Sequence, residues 1–230
     1  MDTAVASGLT TRKLHPNIGI EVRGVDLRQP LHAARIEELR ALWRQYLVLV
    51  FPEQRLTEDQ QMAFTRCFGD LDVTVEDDKK STRNPEVLRI GNVDEDGRKL
   101  GPDHPIVMYY KALTTPWHTD GSYRAVPSFA SMLHALEVVP EGGETCFANA
   151  IAAYDALPEE VKERVAGKYM VHSYEFTRHY EDRLPPLSAK ERADFPPATH
   201  PVVRRHEDGR KSLYVSGNVA YYVGGMPLEE

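Results

Sequence analysis

The stretch VVRRHEDGRKSLYV, residues 202–215, is the clearest indication of the fold. Asp208 and Gly209 separate two β-type runs, and Asp-Gly suits a two-residue type I′ turn because both central residues adopt positive φ. The stretch therefore predicts an antiparallel hairpin. Other short β-type runs follow residue 70, namely VLRI (87–90), SMLHAL (131–136), TCFA (145–148) and KYMVHSYEF (168–176).

Helical patterns lie mainly before these runs. Ala33 to Tyr46 carries apolar residues at spacings of three and four, and a short apolar strand, YLVLVF (46–51), follows it. Thr57 and Gln60 form a capping box for a second helix, and a third is expected between Pro158 and Gly167. The expected fold is mixed but mainly β, with a double-stranded β-helix (jelly-roll) core and flanking α-helices, in a single domain over 1–230.

Composition excludes several classes of function. The 230 residues carry 28 Lys and Arg against 35 Asp and Glu, a net charge of −7, which argues against nucleic acid as a partner. The longest apolar stretch is far shorter than a membrane-spanning helix, and no secretory signal is evident. Cys67 and Cys146 are distant in sequence, so they are expected to be reduced in a cytoplasmic protein. A small-molecule substrate is the expected partner, and a homo-oligomer stays open.

The segment WHTDGSY (117–123) contains the most informative chemistry. If it is extended, His118 and Asp120 project from the same face, where an imidazole nitrogen and a carboxylate oxygen can chelate one metal ion. With a second histidine, this pair would form the 2-His-1-carboxylate triad of non-haem Fe(II) oxygenases. Taken alone, the same pattern more often indicates a hydrogen-bonded pair at a strand end.

Four blocks, in order along the chain, resemble the taurine/2,4-dichlorophenoxyacetate dioxygenase family of Fe(II)- and 2-oxoglutarate-dependent oxygenases. They are LVLVFPEQRLTEDQQMAFTRCFGDL (47–71), WHTDGSY (117–123), PEGGETCFANAIAAYDALPEEVKERVAG (140–167) and HPVVRRHEDGRKSLYVSG (200–217). The resemblance implies that His118 and Asp120 are metal ligands and catalytic residues. It also implies that the hydroxyl of Thr145, at the end of GGET, binds a carboxylate of 2-oxoglutarate. Without the resemblance, Thr145 is better explained as a β-branched residue that opens a strand.

The family's third ligand is a distal histidine, and an arginine shortly after it binds 2-oxoglutarate. Neither is matched within residues 1–230, so both are expected beyond residue 230, in a chain truncated at its C-terminus. The rival third ligands are His200 and His206, which flank the first strand of the hairpin. The remaining candidates, His134, His172 and His179, are expected to be packing or surface residues.

The resemblance implies hydroxylation of a small anionic organic substrate, with release of succinate and CO2. Fe(II) is the implied cofactor, and 2-oxoglutarate and O2 are the co-substrates. Thr74 and Thr114 stand where taurine enzymes have a histidine and an asparagine, which argues against taurine itself, and the substrate-binding residues are not identified. Two alternatives remain: a catalytically inactive relative that acts as a binding or structural module, and a metal-dependent hydrolase.

Overall fold

The computed structural model describes residues 8–72, 81–94, 96–104, 106–108, 116–176, 186–217 and 219–224. Within these ranges the chain forms eight strands and five helices, so the architecture is mixed as expected. Contacts divide it into two compact units. The first contains Met1–Leu88 and Met132–Asn149, and the second contains Arg89–Ser131 and Ala150–Glu230.

The first unit contains a three-stranded sheet and two helices. Its strands are β1 (Thr10–Lys13), β2 (Ile20–Arg23) and β3 (Leu49–Val50), and its helices are α1 (Ala33–Tyr46) and α2 (Glu58–Arg66). Strand β2 pairs antiparallel with β1 and parallel with β3. The core of the unit contains five buried residues, which are Ile20, Val22, Leu27, Leu39 and Phe64.

Both predicted helices of this unit are confirmed. Helix α1 has the predicted bounds, and Leu39, in the middle of the predicted apolar stripe, is fully buried. Helix α2 begins at the predicted capping box, in which the Thr57 side chain accepts from the Gln60 amide and the Gln60 side chain accepts from the Thr57 amide. Such reciprocal bonds satisfy amides that have no partner inside the helix. The strand expected over YLVLVF is limited to β3.

The second unit contains a sheet in the order β5-β4-β8 and a separate hairpin of β6 and β7. In chain order its elements are α3 (Ala150–Asp155), α4 (Glu159–Val165), β4 (Tyr169–His172), α5 (Ala189–Asp194), β5 (Ala198–Pro201), β6 (Val203–Arg205), β7 (Lys211–Leu213) and β8 (Ala220–Gly224). Strand β4 pairs antiparallel with both of its neighbours. Helix α4 is the predicted helix after Pro158, whereas α3 and α5 were not predicted.

The hairpin is confirmed, but the predicted type I′ turn is wrong. Strands β6 and β7 pair antiparallel, and the His206 amide donates to the Arg210 carbonyl at 2.8 Å, which leaves three residues in the loop. Gly209 has a φ of +85°, whereas Asp208 is not among the residues with positive φ. A three-residue loop needs only one left-handed residue, so Gly209 alone satisfies it.

Three predicted strands are absent. VLRI, SMLHAL and TCFA form no strand, although KYMVHSYEF contributes β4. No described strand lies beside these segments to satisfy their backbone groups, and apolar side chains such as Leu136 are 82% exposed. A β-type sequence forms a strand only where a second strand completes its hydrogen bonds. No helix in the described part of the chain has the length and apolar character needed to cross a membrane.

Candidate metal centre

The side chains of His118 and Asp120 meet, as the spacing predicts. The Nε2 atom of His118 lies 3.2 Å from Oδ1 of Asp120. Residues 117–119 lie outside any helix or strand and Asp120 begins a turn, so the two side chains meet without belonging to a strand. The two side chains, called the metal pair below, belong to the second unit and are 29% and 58% exposed.

Each side chain of the metal pair also forms a hydrogen bond with a third group. His118 Nδ1 lies 2.8 Å from the carbonyl oxygen of Pro116, and a carbonyl can only accept, so Nδ1 carries the proton of the neutral ring. Nε2 is then left with the lone pair that a metal ion requires. Ser131 Oγ donates to Asp120 Oδ2 at 2.5 Å, which leaves Oδ1 directed at His118.

Electrostatics favour the charged form of both side chains in the metal-free protein. The hydrogen bond with Asp120 raises the pKa of His118, and the bond with His118 lowers the pKa of Asp120. A divalent cation placed at the same point would replace the shared proton, because it is attracted by the carboxylate and takes the imidazole lone pair. The donor set therefore fits a borderline metal ion such as Fe(II).

The chain reverses directly after the metal pair, through a turn over residues 120–124. The Arg124 amide donates to the Gly121 carbonyl at 3.0 Å, and Gly121 has a φ of +65°. A Cβ atom at Gly121 would lie 3.0 Å from the Ser128 backbone nitrogen and closer still to its Oγ. Glycine is thus required here for backbone conformation and for space.

The rival third ligands do not join the metal pair. No group of three metal-ligating side chains is found within the ranges that the structure describes. His200 Nε2 lies 2.9 Å from the Arg124 carbonyl oxygen, and His206 Nε2 lies 2.9 Å from Ser212 Oγ. Each histidine therefore has its Nε2 atom in an internal hydrogen bond.

Thr145 lies in the first unit, just before α3, in a segment with no regular structure. Its side chain is exposed, and the two preceding glycines, Gly142 and Gly143, both have positive φ. The alternative explanation of Thr145 as a residue that opens a strand is wrong, because TCFA is not a strand. The threonine instead follows a tight glycine turn, where its hydroxyl faces solvent.

A family comparison gives this arrangement its context. Residues 10–230 match the family described as Taurine catabolism dioxygenase TauD, TfdA family. The chain belongs to this dioxygenase family. The resemblance inferred from the four sequence blocks is therefore confirmed over nearly the whole chain.

Relatives of known name fall in the same dioxygenase family. The chain is 34% identical to the alpha-ketoglutarate-dependent 2,4-dichlorophenoxyacetate dioxygenase of Cupriavidus pinatubonensis, over 94% of this chain and 76% of the relative. It is 35% identical to the (S)-phenoxypropionate/alpha-ketoglutarate-dioxygenase of Sphingobium herbicidovorans, over 94% of this chain and 73% of the relative. The crystal structure of AAD-2 in complex with Mn(II) and N-oxalylglycine superposes with a TM-score of 0.82 at 32% identity, covering 96% of this chain and 75% of that one.

These findings confirm the expectation of an Fe(II)- and 2-oxoglutarate-dependent dioxygenase at the level of the TauD, TfdA family. They also agree with an architecture of sheets with some helices. The groups that hold the metal pair, the Pro116 carbonyl and the Ser131 hydroxyl, were not predicted. Pro116 is two residues from His118, so its contact with His118 could have been predicted from the local sequence. The contact between Ser131 and Asp120 spans eleven residues and has no sequence signal.

Other expectations concern single residues. His134, expected to be a satisfied sheet histidine, makes a hydrogen bond, with Nε2 3.1 Å from the Gln54 carbonyl oxygen, but it does not lie in a strand. His172 is a packing residue, and it is fully buried. His179, Thr74, Thr114 and the final segment after Gly224 lie outside the described residues.

Proposed function

We propose that this protein is an Fe(II)- and 2-oxoglutarate-dependent dioxygenase that hydroxylates a small anionic organic substrate and releases succinate and CO2. The observation that supports this proposal is the distance of 3.2 Å between His118 Nε2 and Asp120 Oδ1. The second polar atom of each side chain is hydrogen-bonded to another group, His118 Nδ1 to the Pro116 carbonyl and Asp120 Oδ2 to Ser131. We also propose that residues 1–230 belong to one domain with a jelly-roll core.

His118 and Asp120 would hold the metal ion as neutral imidazole and carboxylate. Fe(II), bound with 2-oxoglutarate and O2, supplies the oxidative decarboxylation and the oxidant for C–H hydroxylation. The Pro116 carbonyl holds the proton on Nδ1 of His118, so Nε2 is the nitrogen that would bind the metal once the metal displaces the proton shared with Asp120, and Ser131 would keep Oδ1 of Asp120 on the side of His118. The Thr145 hydroxyl would donate a hydrogen bond to a carboxylate of 2-oxoglutarate without adding charge beside the metal.

The proposed substrate class is an aryloxyalkanoate. Two relatives at 34% and 35% identity are named for 2,4-dichlorophenoxyacetate and phenoxypropionate, which are both aryloxy carboxylates. Thr74 and Thr114 support the same direction, because the sulfonate-contacting residues of taurine enzymes are replaced there. A cytoplasmic location is proposed on the basis of Cys67 and Cys146, which are both free thiols.

The test is an anaerobic titration with Fe(II) and 2-oxoglutarate of the protein produced from its natural gene. We expect a weak visible charge-transfer band and, after O2 is admitted, succinate release that increases with an aryloxyalkanoate. Asp120→Asn should lose the band. Asp96→Asn is the matched control, because Asp96 is an exposed carboxylate whose side chain forms an ion pair with Arg98 at 3.4 Å.

Each outcome separates two functions. A band with substrate-dependent succinate release supports the dioxygenase. Absence of the band in the natural protein, with a normally folded chain, would overturn the proposal in favour of the binding or structural module. Sequencing of the codons that follow residue 230 in the source gene is an independent test, because the family resemblance predicts a histidine and an arginine there.

A further inference from the structure

Two buried histidines meet the chain directly after the metal pair. His172 lies on β4 and His200 on β5, and the register pairs Met170 with His200 and His172 with Ala198. Paired residues share a face of a sheet, and so do residues two apart, so His172 and His200 are diagonal neighbours on one face. Their ring centroids are 5.3 Å apart, and His172 is fully buried while His200 is 5% exposed.

Both histidines bind the 120–124 turn. His172 Nδ1 lies 3.1 Å from Ser122 Oγ, and Ser122 is itself fully buried. His200 Nε2 donates to the Arg124 carbonyl oxygen at 2.9 Å. The turn that begins at Asp120 is therefore attached to the sheet at two points, two and four residues after the metal pair ends.

The surroundings of His172 keep its ring uncharged. Tyr214 packs against both rings, with centroids 5.6 Å from His172 and 5.3 Å from His200, and the Arg204 guanidinium lies over the Tyr214 ring at 4.2 Å. Among the residues that the structure describes, His172 Nε2 has no hydrogen-bond partner, so a proton there would be buried without an acceptor from this part of the chain. Burial and the neighbouring His200 lower the pKa of His172 to about 4.

We propose that His172 and His200 are positioning residues for the metal pair, which they orient through Ser122 and the Arg124 carbonyl. The inference rests on the proposed function, because it assigns a role toward the metal that His118 and Asp120 would hold. Neither histidine touches the metal pair in the contacts above. Each histidine acts by fixing the backbone that carries Asp120. If this backbone could shift, the Asp120 carboxylate would no longer be directed at Nε2 of His118.

The test measures binding of Mn(II) alone, by the electron paramagnetic resonance signal of the free ion. Ser122→Ala and His172→Leu remove the bond from opposite sides, and each should weaken Mn(II) binding by about tenfold, as is typical when a group that orients a ligand is removed. The double variant should be no weaker than either single variant, because both lose the same bond. His172→Asn, whose amide can occupy the position of Nδ1, should restore part of the affinity.

Tyr214→Phe is the matched control. It alters the same buried cluster and removes a hydroxyl that has no hydrogen-bond partner within the described ranges, while the Ser122 and Arg124 hydrogen bonds are made by the histidines. We expect its Mn(II) affinity to equal that of the wild type. A loss in this variant as large as in His172→Leu would overturn the inference, because general damage to the cluster would then explain both.

A second measurement does not require metal. Hydrogen exchange of the Arg124 amide, which closes the turn, should accelerate about tenfold in Ser122→Ala and His172→Leu and stay unchanged in Tyr214→Phe. Faster exchange with unchanged Mn(II) affinity overturns the inference while leaving the proposed function intact. If the wild type does not bind Mn(II) although its Arg124 amide exchanges slowly, the proposed function is overturned, and so is the role of the two histidines toward a metal.

Discussion

The buried environment of His172 predicts a loss of stability on mild acidification. Its side chain is fully buried, and the pKa is lowered from an ordinary 6.5 to about 4 by burial and by the neighbouring His200. Between these two pH values His172 therefore binds a proton in the unfolded chain but not in the folded chain. The contribution of His172 is complete above pH 6.5 and is lost as the pH falls from 6.5 toward 4.

The size of the effect follows from the two pKa values. Linkage gives a loss of roughly 3 kcal/mol once the pH is below both values, and about 2 kcal/mol between pH 7.5 and pH 5.0. The described residues around His172 provide no acceptor for Nε2, and Arg204, which lies over the Tyr214 ring, is a cation and would not stabilise a protonated His172. For a domain of this size, 2 kcal/mol is a substantial part of the free energy of unfolding.

The assay is urea unfolding of the metal-free protein at pH 7.5 and 5.0, for the wild type and for His172→Asn. The variant is expected to be less stable at pH 7.5, but its stability should fall by about 2 kcal/mol less than that of the wild type on acidification. His118, whose raised pKa has the opposite effect on stability, is present in both proteins and cancels in the difference. Equal losses in the two proteins would refute the reasoning.

Three further predictions concern the metal centre and the first unit. Gly121→Ala should lower the free energy of unfolding by about 2 kcal/mol or more and should weaken Mn(II) binding. Gly97→Ala is its control, because Gly97 has a φ of +79° but open space around it. In the same two assays this control should cost only about 1 kcal/mol of stability and leave Mn(II) binding unchanged. Ser131→Ala should weaken Mn(II) binding by about tenfold at little cost in urea stability, because it frees Oδ2 of Asp120; unchanged binding would contradict this role. Thr57→Ala should cost about 1 kcal/mol of urea stability through loss of the α2 cap, with no change in Mn(II) affinity.

Local signals explain which elements were predictable. Helix α1 has the predicted bounds, and α2 begins at its predicted capping box, because helical hydrogen bonds and caps join residues close in sequence. Helix α5 also begins with a capping box, from Ser188 to Glu191, but it is only six residues long and has no buried apolar stripe to reveal it. A short helix of that kind depends on its surroundings rather than on its own periodicity.

Strands and turn types depend on distant partners and were predicted less well. The segment SMLHAL has the composition of a strand, but no described strand pairs with it, so composition alone gave the wrong result. Around Asp208 and Gly209 the sequence correctly indicated a hairpin, while the turn type was set by the pairing of His206 with Arg210 across the loop. Sequence identifies where a chain reverses, and the register of the strands decides how.

The metal pair differs from its supports in the same way. His118 and Asp120 are two residues apart, so a sequence can reveal them, but apart from the Pro116 carbonyl the groups that fix their geometry come from farther along the chain. The Ser122–His172 contact spans 50 residues and the Arg124–His200 contact spans 76. A peptide with the motif WHTDGSY would contain both ligands and lack every distant support, so it would bear the entropic cost of orienting them on binding. Substitutions that disturb the β4–β5 face should therefore change the metal affinity of this protein more than substitutions of the residues beside the motif.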